Sequence, residues 1–189
     1  KKSLLSSLAK RSEVEKIVLN KKIKADKKEK NAPEARTYSM NSANGKHVPW
    51  NLKAIAADKA QELANSSNSE VVVAIIDSGV DGTHPAIKDN YRGNDPSLAA
   101  YSWYNTITGK DGSEETPSDS RGHGTHVCGT ILGSRENSLL GVAPKAKWMA
   151  VKVFNDDGET DNAKLIKAGQ WIMAPNGDPK YAPIVFFFL

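Results

Sequence analysis

The chain has 189 residues, a net charge of +4 and one cysteine. That length holds one medium domain with a real core, or a small domain and part of a larger one. The single cysteine, Cys128, excludes an internal disulfide framework, and no apolar run is long enough to cross a bilayer.

The charge is uneven along the chain. Residues 1–30 carry eleven Lys and Arg against four Asp and Glu, whereas the remainder carries fifteen against eighteen. No aromatics are interleaved with these lysines, so a solvated face or a segment docked on an acidic partner is expected rather than nucleic-acid binding. The chain begins with lysine, so its true start, with any signal peptide, is expected upstream.

Leu4, Leu5 and Leu8 at helical spacing predict a helix over residues 3–11, and Ile17, Leu19 and Ile23 predict one face of a strand over 13–24. Residues 25–49 turn to Lys, Asn, Ser, Glu and Gly with few aliphatics, the composition of a linker. A helix is expected over 51–64, with Leu52, Ile55, Ala56 and Leu63 toward a core, ended by Asn65-Ser66-Ser67-Asn68-Ser69. The run Val71-Val72-Val73-Ala74-Ile75-Ile76 then reads as a strand buried on both faces, with Asp77 at its carboxyl end before a Ser-Gly turn. Open α/β sheets place their ligands at that edge.

Residues 85–123 are rich in Asp, Asn, Gly, Ser and Thr and read as a surface excursion, with one strand expected over 98–104. A solvated loop is the simpler reading, and a substrate rim or an oxygen-rich ion site the alternatives. In Arg121-Gly122-His123-Gly124-Thr125-His126-Val127-Cys128-Gly129-Thr130, small residues leave the His123 imidazole uncrowded and open a helix that can lie close on a sheet. A histidine there can shuttle protons near neutral pH, and Asp77 can orient it. Cys128 is expected to fill a small-residue slot in that helix. Alternation over 146–154 predicts a core strand, with Trp148, Ala150 and Lys152 opposite Met149, Val151 and Val153. After the loop 155–161, residues 162–173 form the clearest helix, its apolar face drawn from Leu165, Ala168, Gly169, Ile172 and Met173.

Together, Asp77-Ser78-Gly79-Val80-Asp81-Gly82-Thr83-His84-Pro85 and His123-Gly124-Thr125-His126-Val127-Cys128-Gly129-Thr130 resemble the subtilase family of serine peptidases, in the family's order of Asp before His. Residues 141–154 and 170–175 look most like its bacillopeptidase F branch. The resemblance runs to residue 183 and implies an α/β fold, a subtilisin-like parallel sheet flanked by helices and here incomplete, after the end of a small α+β propeptide. It implies Asp77 as the triad acid and His123 as the general base, while His126 matches a motif residue that is not the base. It aligns Gly158, Glu159 and Thr160 with the edge strand that pairs with the substrate. There Glu159 can favour a basic residue two to four positions before the scissile bond, or stand as a solvated acid.

By the same resemblance, residues 1–24 are the end of an inhibitor-like propeptide, or else an ordinary hairpin of the main domain. Residues 25–49 then hold the maturation site, and 50–189 are the N-terminal part of the catalytic domain. The partners are polypeptide substrates and the chain's own propeptide, with no nucleic acid and no membrane span. The setting is secreted or extracellular. No cofactor is required and no metal is catalytic, although relatives bind calcium as a structural ion.

Two rivals stand beside this reading. One is a metal hydrolase using His123 and His126 with Asp77 or His84, although no acid lies between the histidines as in the zinc-hydrolase helix motif. The other is a non-catalytic binding or inhibitory fragment. A Gly-Thr-Ser-Met-Ala-like signature appears nowhere in the sequence, so the 189 residues alone are expected to be inactive. The tail Ile184-Val185-Phe186-Phe187-Phe188-Leu189 departs from the family's continuation, where an oxyanion-hole Asn is expected. It is expected to act as an apolar strand without sheet neighbours, prone to aggregate.

Overall fold

The computed structural model of the chain describes residues 2–25, 48–63, 71–135 and 138–188. The expected linker falls mostly outside the described residues, as does the Asn65–Ser69 stop. The elements run α1 (Lys2–Leu8), β1 (Lys22–Lys24), α2 (Trp50–Ala54), α3 (Ala57–Leu63), β2 (Val72–Asp77), β3 (Trp103–Asn105), α4 (His123–Leu132), β4 (Ser134–Arg135), β5 (Ser138–Leu139), β6 (Lys147–Lys152), β7 (Glu159–Asp161), α5 (Asn162–Met173) and β8 (Val185–Phe188).

A four-stranded sheet in the order β3-β6-β2-β8 organises the fold, and every pairing in it is parallel. β2 sits inside it and has almost no exposed side chain from Val73 to Asp77, as expected of an aliphatic run covered on both faces. Alternation sends Ile75, Trp148 and Ala150 to one face, where they pack with Cys128 and Leu132 of α4. Ala74, Ile76, Met149 and Val151 go to the other, against Ala168, Trp171 and Ile172 of α5. Each fully buried aliphatic side chain in these layers contributes about 2 kcal/mol. Asp161 caps α5 by accepting from the Lys164 backbone amide at 3.0 Å, and its carboxyl is held down at about 2 by hydrogen bonds from the Lys164 side chain and backbone.

Several expected elements differ. The helix expected over 51–64 breaks at Ile55–Ala56, where Ala56 takes a left-handed backbone (φ 55°). Leu52 and Ala57 are buried, whereas Ile55 is 65% exposed, because the break rotates the second piece relative to the first. On α5, Trp171 turns inward beside Tyr104, their rings 5.4 Å apart, while Met173 faces out. Residues two apart on a helix point to nearly opposite sides, so Met173 cannot share the buried face that Ala168, Trp171 and Ile172 form. The strand expected over 13–24 shrinks to Lys22–Lys24, the part that meets a partner; Val18 and Leu19 are exposed. α1 forms as expected, with Leu4 and Leu5 exposed.

The stretch 85–123 is more than a solvated loop. Ile87, Tyr91, Trp103 and Tyr104 are buried, and the expected strand is confined to Trp103–Asn105 behind short 3-10 turns. Buried Arg92 ties this excursion together, donating to Ser102 Oγ at 3.0 Å and the Tyr181 carbonyl at 2.9 Å. The tail also corrects its expectation. Val185–Phe188 is not without neighbours but lies parallel to β2, Val73 opposite Val185, because β2 offers an unfilled edge of backbone groups. Among the described residues β8 is an edge strand of the sheet, and Phe187 is 43% exposed.

Candidate active site

The end of β2 and the start of α4 meet at one corner. Asp77 is 2% exposed, and one of its carboxylate oxygens accepts the Ser78 amide at 2.6 Å. His123, the first residue of α4, places Nδ1 2.9 Å from both Asp77 oxygens, while its side chain is 60% exposed. A buried carboxylate facing Nδ1 favours the tautomer with its proton there and leaves Nε2 as the basic nitrogen.

Two glycines make this approach possible. A Cβ on Gly124 would lie 2.0 Å from the Gly79 carbonyl oxygen and 3.0 Å from Asp77 Cβ. Gly79 itself has φ +103° and presses against the Ser118 carbonyl, so only glycine fits the turn after Asp77.

A second acid, Asp119, lies under the same corner. Its Oδ1 accepts from Ser78 Oγ at 2.9 Å, Arg121 N at 3.0 Å and Gly122 N at 2.9 Å. Its Oδ2 accepts from Thr125 N at 2.9 Å and Thr125 Oγ1 at 2.7 Å. Burial works to raise its pKa, but the bonds from Thr125, Arg121 and Gly122 outweigh it and hold the carboxyl below the usual range. The Lys152 ammonium, at the end of β6, is buried beside the turn and donates to the Ser78 carbonyl at 2.6 Å. Burial lowers its pKa, partly offset by Asp156 and Asp119.

Gly158, Glu159 and Thr160 lie just beyond. The Arg121 guanidinium rests against Gly158, and Ser120 Oγ donates to Asp156, so the turn into β7 touches the loop that delivers His123. β7 is paired with β1 in antiparallel register, Ile23 opposite Thr160. Ala25 N donates to the Gly158 carbonyl at 2.8 Å, and Lys24 Nζ lies 2.7 Å from Glu159. Their side-chain hydrogen bond raises the pKa of Lys24 and lowers that of Glu159.

Among the described residues, no three His, Cys, Asp or Glu side chains are gathered as metal ligands, so the set His123, His126, Asp77 and His84 does not converge. His84 Nδ1 instead accepts the Ala86 amide at 3.3 Å. Cys128 is fully buried, and burial pushes its thiol pKa far up, which makes it unreactive. No helix among the described residues is long and apolar enough to cross a membrane.

Ser78, Thr125, Asp119 and Lys152 were not singled out by sequence reasoning. Lys152 had a signal, a charged residue within an alternating core strand. Asp119 had none, since Ser118-Asp119-Ser120 has the composition of any polar loop.

The sequence model of the subtilase family matches residues 68–183. The chain is 38% identical over 97% of its length to bacillopeptidase F of Bacillus subtilis (strain 168), covering 13% of that protein. It is 36% identical over 69% of its length to subtilisin E of the same organism, covering 31% of it. Fervidolysin of Fervidobacterium pennivorans is 35% identical over 65% of the chain, which covers 16% of that relative. The chain thus spans under a third of the length of each of these relatives. With its own Asp-Ser-Gly and His-Gly-Thr segments meeting at one corner and the family's sequence matched across more than half of its length, the chain belongs to the subtilase family.

Proposed function

We propose that this chain is part of a secreted serine-type endopeptidase in which Asp77 is the triad acid and His123 the general base. The observation that carries the reading is the 2.9 Å contact between His123 Nδ1 and the buried Asp77 carboxylate. With Nδ1–H donated to Asp77, Nε2 takes the proton from an attacking serine and returns it to the leaving amine; Asp77 stabilises the imidazolium formed between those steps. Residues 50–189 supply this half of the machinery, and the serine and the oxyanion-binding Asn are contributed by sequence outside these 189 residues. By themselves these residues do not hydrolyse peptides.

β7 is then the edge on which an extended substrate lies, with Gly158, Glu159 and Thr160 presenting it with backbone groups. The antiparallel seating of Lys22–Lys24 on that edge supports residues 1–24 as a propeptide end that occupies the groove, with the maturation site within 25–49. The chemistry requires no cofactor.

In a longer protein that carries the serine, Asp77→Asn is expected to leave folding nearly intact and to lower turnover by about four orders of magnitude, through the wrong histidine tautomer. Turnover within about threefold of the parent sinks the assignment.

A further inference from the structure

We propose that Asp119 is a positioning residue for His123: its carboxylate, together with Ser78 and Thr125, fixes the imidazole against Asp77. The inference rests on the reading of His123 as the base. It goes further by assigning a third side chain to the work of holding that base.

The first amides of a helix have no partner within it. α4 begins after Gly122, a left-handed residue with φ 81° that offers no side chain to cap them. Asp119 takes that place from outside the helix, receiving the Arg121, Gly122 and Thr125 amides. The Gly124 amide goes to Ser78 Oγ at 3.1 Å, and that hydroxyl donates onward to Asp119 at 2.9 Å. Ser78 follows Asp77 directly, so one carboxylate binds the start of α4 and the end of β2 at once. Thr125 Oγ1 extends the tie to the next turn by accepting the Asp81 amide at 2.9 Å.

His123 needs such support. With its side chain 60% exposed, the contact to Asp77 competes with water, so its strength depends on how firmly the ring is held in place. The helix start is also where an anion is favoured by the aligned peptide dipoles.

Asparagine cannot replace this carboxylate. Its amide has one acceptor oxygen, so its NH2 group must face either the Thr125 pair or the donors from Ser78, Arg121 and Gly122.

The test uses the 189-residue chain with isotopically labelled histidine. Nitrogen NMR reads the ratio of Nδ1–H to Nε2–H tautomer at neutral His123, and circular dichroism confirms folding. In the parent, Nδ1–H is expected to dominate. Asp119→Asn is expected to lower that ratio about fivefold, the effect of losing one ordinary hydrogen bond. Thr125→Val is expected to move it the same way by about twofold, and Thr125→Ser, which keeps the hydroxyl, to leave it at the parent value.

A residue that merely capped the helix would lower stability without moving the tautomer. A parent ratio that favours Nε2–H overturns the base assignment and this inference with it. A parent that favours Nδ1–H, with Asp119→Asn and Thr125→Val folded and unchanged, overturns the role of Asp119 alone. Should Asp119→Asn not fold, the two Thr125 variants decide.

Discussion

Two charged contacts in this molecule invite comparison: the corner where β2 meets α4, and the strip where β1 lies on β7. At the corner, buried Asp77 and half-buried Asp119 are held by several directed donors from backbone and side chain. On the strip, Lys24 and Glu159 approach as closely, 2.7 Å, but the Lys24 side chain is 74% exposed and its ammonium meets one carboxylate among the described residues. Distance alone does not rank such contacts. The corner gains from the number of donors that a single carboxylate satisfies and from the cost of leaving any of them unpaired. The strip depends on backbone pairing, and its charges steer more than they bind.

The comparison breaks most readily at Gly124. Adding one methyl group there, Gly124→Ala, forces α4 away from β2, since the Cβ would sit 2.0 Å from the Gly79 oxygen. A loss of about 3 kcal/mol in denaturant unfolding is expected, with displacement of the His123 resonances. A variant as stable as the parent, with those resonances unmoved, contradicts the close approach.

Acid is the next lever. The folded-state pKa of Asp119 lies below its unfolded value, so its share of stability is complete above about pH 4 and is lost as the pH falls through the folded value. Asp119→Asn should therefore be less stable than the parent at neutral pH, and the gap should narrow between about pH 4 and pH 2. Thermal melts across that range measure it. A gap that stays constant shows that the charge plays no part.

Reversing the charge on the strip should have a smaller effect. Glu159→Lys is expected to reduce hydrogen-exchange protection of the Ala25 amide about threefold, and adding Lys24→Glu should restore it. In a serine-bearing longer protein, Glu159→Gln should weaken any preference for a basic residue before the scissile bond; identical peptide-library profiles reject that preference. The smallest change is expected from salt. Raising ionic strength to about 1 M should lower the Ala25 protection less than twofold, and leave the corner untouched.

What the sequence makes legible follows from how far each signal reaches. β2, β6 and α5 are long, periodic and covered, so the alternation that divides Trp148 from Met149 is visible as a pattern. Asp77 and His123 stand out because each ends or begins such an element. Asp119 lies on an irregular loop, and its partners are amides two to six residues away and a serine 41 residues before it, a set that no periodicity marks. The break at Ala56 was equally silent, since alanine is an ordinary helix residue until tertiary packing favours a left-handed turn. The inward place of Trp171 is legible in the spacing, since it stands three residues after buried Ala168, whereas Met173 falls on the opposite side of the helix.

The pairing of β2 also sets an order in time. Val72 lies beside Lys147 and Val73 beside Val185, 75 and 112 residues further along. During synthesis at roughly 5–20 residues per second, the aliphatic run of β2 therefore waits several seconds for its first neighbour and longer for its second. Contacts so distant along the chain also make folding slow once synthesis is complete. Through that interval the aliphatic run over residues 72–76 has both edges free, so whatever shields β2 while it waits protects the chain from pairing with another copy.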